Sequence, residues 1–189
     1  MSKSNKPLAI LDVDETLIYA TKIKLERKPD FEVFEYNVYK RPHLNDFIQK
    51  LSKSYDIAIW SSAGNDYVNS IVNRLNLNID IKFIWGRNEA TQKRLLNDYY
   101  ETGNDTELYY VKSLKKVKRR GYELDKILII DDSPHKSKLN YGNAIYPKSY
   151  KGALDDNELL KLIEYLESIK DEPSFRTIEK RNWRMKYDQ

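Results

Sequence analysis

An α/β fold, a Rossmann-like parallel sheet flanked by helices, is predicted by three apolar segments that each stop abruptly at polar residues. Leu8–Leu11 runs into Asp12, Tyr55–Trp60 into Ser61 and Ser62, and Ile127–Ile130 into Asp131 and Asp132. Helical periodicity follows these junctions. Near-continuous apolar strands separated by helices indicate a parallel sheet covered on both faces. Such sheets bind ligands beyond the carboxyl ends of their strands, so the same three junctions predict both the fold and the place of the site.

At the first junction Asp12 and Asp14 stand two residues apart, with Thr16 two further on. Side chains at i and i+2 of an extended segment point the same way, so the two carboxylates project together. Like charges held so close repel, and the pair makes sense with a cation or with a separate task for each carboxylate. That is the chemistry of a phosphoryl-transfer site.

The elements between the junctions follow in order. In Thr21–Lys40, Ile23 and Leu25 alternate with charged residues, Lys28-Pro29-Asp30 signals a turn, and Phe31–Tyr39 is strand-like again. This pattern predicts a β-hairpin flap beside the end of the first strand. Pro42 suits the start of a helix that buries Leu44, Phe47, Ile48 and Leu51. Asn65–Asn76 is predicted as the next helix, burying Val68, Ile71, Val72 and Leu75. Residues 77–110 are expected to form a small insertion. Within it Ile81–Trp85 and Leu108–Val111 look extended, 88–100 is helical or irregular, and Gly103-Asn104-Asp105 is a turn. Val111–Arg120 is predicted as a basic helix. Asp155 and Asp156 are expected to cap a last helix with Leu159, Leu160, Ile163 and Leu166 inward. One domain is expected over residues 1–170, with 171–189 as a charged surface tail.

Composition narrows the classes. The chain has 189 residues, 40% of them apolar, which suffices for one core. A net charge of +4 is compatible with an acidic or phosphorylated substrate and does not demand nucleic acid. There is no cysteine, which excludes disulfides, zinc–thiolate sites and cysteine nucleophiles. The polar start is not a secretory signal, and no stretch is long and apolar enough to cross a bilayer. A cytoplasmic location is the resulting expectation.

Asp12-Val13-Asp14-Glu15-Thr16-Leu17 resembles the signature of the haloacid dehalogenase superfamily of phosphotransferases. Further clusters follow in order: Arg41-Pro42, Trp60-Ser61-Ser62-Ala63, Tyr110-Val111-Lys112-Ser113-Leu114 and Ile130-Asp131-Asp132-Ser133-Pro134. Tyr150-Lys151-Gly152 and Asp156–Leu160 come after them. Together they resemble the phosphatases related to those acting on the RNA polymerase II carboxyl-terminal domain, the NLI-interacting-factor-like branch. The resemblance covers residues 8–170 and implies a haloacid dehalogenase-like fold.

The resemblance also implies roles. Asp12 is the nucleophile that forms an aspartyl-phosphate. Asp14 is the general acid for the leaving oxygen and then the base for water. Thr16 fixes Asp14 or its loop, and Ser61 holds a phosphoryl oxygen, with Ser62 the neighbouring alternative. Lys112 neutralises charge between Asp12 and the phosphoryl group; the rest of the run Lys115–Arg120 reads as a solvated helix face. Mg²⁺ is expected on the Asp12 carboxylate, the Asp14 backbone carbonyl and the Asp132 carboxylate. Asp131 is expected to orient Lys112 or a metal-bound water. Arg87 resembles an arginine that contacts the substrate phosphate in some relatives. His43 and His135 have no metal partners at useful spacing.

The implied function is a Mg²⁺-dependent phosphomonoester phosphatase acting on phosphoserine or phosphothreonine protein, expected as a monomer with no membrane partner. A nucleic-acid 3′-end phosphatase is the alternative; in that case the Lys115–Arg120 patch together with Arg176, Lys180, Arg181, Trp183 and Arg184 would track a backbone, with Trp183 free to stack. A binding module without turnover is the third reading, and the presence of every acidic residue and Lys112 argues against it.

Overall fold

The computed structural model describes residues 6–94 and 108–187. Its centre is a parallel sheet of five strands: β1 (Leu8–Leu11), β5 (Asp56–Trp60), β6 (Ile81–Trp85), β9 (Ile127–Ile130) and β10 (Ala144–Ile145), in the order β10-β9-β1-β5-β6. The three apolar segments of the sequence are its three central strands. Alternation assigns their side chains to two faces. Ala9, Leu11, Ile57, Ile59, Leu128 and Ile130 enter one core; Leu8, Ile10, Ala58, Trp60, Ile127 and Ile129 enter the other.

The larger core is closed by α1 (Leu44–Ser54), α2 (Asn65–Leu75) and α4 (Glu158–Ile169). The predicted inward residues of α1 and α2 are all buried. In α4, Leu159, Ile163 and Leu166 are buried as expected, but Leu160 is exposed. Leu162, Tyr165 and Ile169 complete the buried stripe instead. The second core is thinner. There Leu114 and Val117 pack with Phe83 and Trp60, and Trp60 meets Trp85 edge to face at 4.9 Å. Among the described residues the α-helix on this side is α3 (Lys115–Lys118), one turn long, in place of the longer basic helix expected over 111–120.

Four expectations need correction. The flap is a three-stranded antiparallel sheet in the order β2-β4-β3, from β2 (Ile18–Thr21), β3 (Phe31–Val33) and β4 (Tyr36–Lys40). Its outer strand therefore lies before Ile23, which is exposed, and alternation at Ile23 and Leu25 marks a connecting loop. Second, Ile81–Trp85 is not insertion but the edge strand of the main sheet, reached from β5 through α2 as an ordinary crossover. What lies outside the sheet begins after Trp85 and includes β7 (Thr91–Arg94) paired with β8 (Leu108–Val111). The expected turn at Gly103-Asn104-Asp105 lies outside the described residues.

Third, residues after 170 are not a surface tail. Phe175 and Trp183 are buried in the larger core, Phe175 against Tyr55 and Trp183 stacked on Tyr165. Fourth, the nucleic-acid alternative loses its stacking residue, since Trp183 is only 2% exposed. Lys180 is also buried, with its ammonium on the Phe175 and Ile178 carbonyls.

Arg41 ties the flap strand to the site. Its guanidinium is fully buried, donates to both Asp156 oxygens at 2.8 and 2.9 Å, and donates to the carbonyls of Thr16 and Lys148. Asp156 in turn accepts the Glu158 N–H at the start of α4. Arg41→Met leaves a carboxylate and two carbonyls without their donor, and is expected to cost about 3–5 kcal/mol in a urea-unfolding measurement.

Candidate active site

The carboxyl ends of β1, β5 and β9 meet where the strand order reverses, at the centre of the sheet. Parallel register extends past the strands: the Asp12 N–H donates to the Ile130 carbonyl at 2.8 Å, and the Asp131 N–H to the Ile145 carbonyl. Asp12 and Asp131 are thus delivered side by side from adjacent strands. After Val13 the chain turns sharply. Glu15 takes a left-handed conformation (φ 61°), and the Leu17 N–H returns to the Val13 carbonyl. The fully buried Thr16 hydroxyl accepts the Asp132 N–H at 3.2 Å. Thr16 therefore joins the first acidic loop to the second.

Lys112 connects the carboxylates. Its ammonium, wholly buried, lies 2.7 Å from Asp12 Oδ1 and 2.6 Å from Asp131 Oδ2. The Lys112 backbone is held at both ends: its N–H donates to the Lys136 carbonyl, and its carbonyl accepts from Asn140. Burial by itself would favour neutral Asp12, but Lys112 and then Lys136 outweigh it and hold the Asp12 carboxyl below the usual carboxylate range. Asp131 moves the other way. Burial and the neighbouring Asp12 charge push it up to about 6. Lys112 is shared about equally between the two, while Lys136 stands nearer Asp12, at 3.2 Å against 3.7 Å from Asp131, so the ionised form is favoured more strongly at Asp12.

Asp132 is less buried and accepts the hydroxyls of Ser133 and Ser149. Ser149 also donates to Glu15, which pairs with Lys151. Carboxylate oxygens of Asp12, Asp131 and Asp132 all lie within 4.8 Å of one another. Three hard oxygen donors so placed could hold a divalent cation. The Asp14 carboxylate is turned elsewhere: it accepts the Tyr67 hydroxyl at 2.7 Å and faces the Ser61 hydroxyl at 3.5 Å. Burial is the main cause of the raised Asp14 pKa, with the Asp12 charge adding to it and the Tyr67 hydrogen bond opposing it.

The remaining predicted residues divide. Ser61 is buried at the end of β5, and its hydroxyl also accepts the Ala63 N–H at 3.0 Å. The Ser62 hydroxyl is buried beside it with no hydrogen-bond partner among the described residues. Arg87 is exposed and donates from Nε to the Ser62 carbonyl. Its side chain reaches the loop, with no hydrogen bond to Asp12, Asp14 or Lys112 among the described residues. Gly86 allows this approach, because a Cβ there would stand 2.4 Å from Asn65 Oδ1 at the start of α2.

Two residues of the site were missed by sequence reasoning. Tyr67 lies in the first turn of α2, where its position just after the Ser61 loop is the only available signal. Lys136, in the 3₁₀ segment Pro134–Asn143, places its ammonium 3.2 Å from Asp12 Oδ2. Burial opposes its charge, but Asp12, Asp131 and Asp132 outweigh this and raise its pKa above the ordinary lysine value.

Among the described residues no helix is long and apolar enough to cross a membrane. The chain is 31% identical over 173 residues to CTD small phosphatase-like protein 2 of Dictyostelium discoideum, covering 88% of this chain and 28% of that protein. It is 26% identical to the human carboxy-terminal domain RNA polymerase II polypeptide A small phosphatase 1, covering 88% of this chain and 60% of that protein. It thus spans less than two thirds of these relatives' length. The fold is shared with fission yeast RNA polymerase II CTD phosphatase Fcp1, solved with beryllium fluoride bound: TM-score 0.54, 15% identity, 88% of this chain and 53% of that one. Residues 7–176 match the NLI interacting factor-like phosphatase family, and the chain belongs to that family.

Proposed function

We propose that this chain is a Mg²⁺-dependent phosphomonoester phosphatase that works through a phosphoaspartate on Asp12. The observation that carries the reading is the Lys112 ammonium between Asp12 and Asp131, at 2.7 and 2.6 Å, beside the third carboxylate of Asp132. Asp12, Asp131 and Asp132 would hold the cation, which when bound supplies positive charge against the phosphoryl oxygens. A carboxylate held ionised by ammonium groups is suited to attack phosphorus.

In the first step an Asp12 oxygen bonds to phosphorus while the bond from phosphorus to the leaving oxygen breaks. Asp14 gives its proton to that oxygen. In the second step Asp14 takes a proton from water, the water oxygen bonds to phosphorus, and the bond to Asp12 breaks. Inorganic phosphate leaves and both carboxyl groups return to their starting states. Burial of Asp14 serves the first step, since it keeps the acid protonated to higher pH than an exposed aspartate. Thr16 and Arg41 fix the loops, and Ser61 orients Asp14 and stands ready for a phosphoryl oxygen.

The substrate class proposed is phosphoserine or phosphothreonine protein. It rests on the relatives, several of which are named as phosphatases of the polymerase carboxyl-terminal domain. The test is phosphate release from p-nitrophenyl phosphate and from phosphoserine peptides, with Mg²⁺ and after chelation. Turnover that needs the cation is expected; equal turnover after chelation, or none on any phosphomonoester, overturns the reading.

The pH profile gives a separate check. Loss of the Asp14 proton removes the general acid, so kcat/KM is expected to fall as pH rises. Tyr67 favours the ionised form by donating to it. Tyr67→Phe should therefore move this alkaline limb to higher pH, and a limb that stays in place contradicts the assignment of Asp14 as acid.

A further inference from the structure

Lys136 reaches Asp12 from a stretch of chain that carries none of the predicted site residues. Its ammonium stands 3.2 Å from Asp12 Oδ2 and 3.7 Å from Asp131 Oδ1. The two lysines at Asp12 are not equivalent. Lys112 is closed in, with a carboxylate oxygen tight on either side. Lys136 makes longer contacts and leaves 19% of its side chain exposed. It covers the one Asp12 oxygen that Lys112 does not hold. Its backbone is anchored independently, because its carbonyl accepts the Lys112 N–H at 2.9 Å.

Charge shows what such a lysine adds. Asp12, Asp131 and Asp132 are three negative charges. With Lys112 as the only lysine, a divalent cation would bring the group to neutrality and no further. With Lys136 the same group carries net positive charge. A dianionic phosphomonoester is then drawn in, whereas a monoanionic diester gains less.

On the phosphatase reading above, we infer that Lys136 is a second phosphate-binding cation, which caps Asp12 Oδ2 before substrate arrives and then passes its ammonium to the non-bridging phosphoryl oxygens. The ammonium need move only between neighbouring oxygens, so no rearrangement of the fold is required. The lysine thus acts on binding of the phosphoryl group in substrate and product alike.

The experiment compares wild type, Lys136→Met and Lys136→Arg. It reads KM and kcat on p-nitrophenyl phosphate, inhibition by inorganic phosphate, and inorganic phosphate binding by calorimetry with Mg²⁺ present. Melting curves confirm that each variant folds. Lys136→Met is expected to raise KM and the phosphate inhibition constant together, by about 10- to 100-fold, as for a lost hydrogen bond to a charged group. kcat should fall by a smaller factor. Lys136→Arg should recover most of the affinity, since it returns a cation to the same oxygens. Unchanged KM and phosphate inhibition in an active, folded Lys136→Met protein overturn the inference. If wild type shows no turnover, the phosphatase reading fails by itself. Calorimetry then decides Lys136 separately: weaker phosphate binding in Lys136→Met supports it, while equal binding, or none in wild type, overturns it.

Discussion

Asp12→Asn is expected to lower Mg²⁺-dependent turnover of p-nitrophenyl phosphate by at least about 10⁴-fold, the scale on which loss of a covalent nucleophile acts. The amide is close in size to the carboxylate, so packing at the strand end is kept. What changes is charge: the two ammonium groups at Asp12 are left with Asp131 as their nearest carboxylate. The variant should still unfold cooperatively, which separates a lost reaction from a lost fold. Residual activity near that of wild type would mean that another group attacks phosphorus.

Lys112→Met is expected to be damaging in two ways that can be measured apart. Removing the ammonium leaves Asp12 and Asp131 buried without the closer of the two ammonium groups they share. Breaking a buried pair on one side costs about 3–5 kcal/mol, read as a lower urea midpoint. The same change removes positive charge from the place where phosphoryl charge develops, and kcat should drop by about 10²- to 10³-fold. Lys136 does not restore either loss, because it stands on the other oxygen of Asp12. A Lys112→Met protein as stable as wild type would contradict the closed geometry around that ammonium.

Much of this site was legible because its carboxylates end apolar strands. Leu8–Leu11 and Ile127–Ile130 are short, branched apolar runs of the kind that form buried parallel strands, and polar residues at their ends then emerge at one edge of the sheet. Lys112 has no such signature. Within a basic run it is an ordinary lysine, and only the resemblance picked it out. Lys136 was invisible for the same reason: Pro134-His135-Lys136-Ser137-Lys138 carries two lysines, and the 3₁₀ turn alone decides which one faces Asp12. Single aromatics in charged surroundings misled in the C-terminal region. Phe175 and Trp183 lie among Arg, Lys and Glu, so composition argued for solvent although both are buried. At the flap, short-range alternation at Ile23 and Leu25 imitated a strand, while pairing of Ile18–Thr21 with Tyr36–Lys40 depended on contacts distant in sequence.

The phosphoaspartate on Asp12 is the central claim, and trapping it is the direct measurement. Enzyme mixed rapidly with phosphate-labelled p-nitrophenyl phosphate and Mg²⁺, quenched in acid and digested, should carry label on the peptide containing Asp12 within one turnover. Borohydride reduction of the acyl phosphate should convert that aspartate to homoserine. Full turnover with no covalent label, or label on any other residue, would contradict the mechanism.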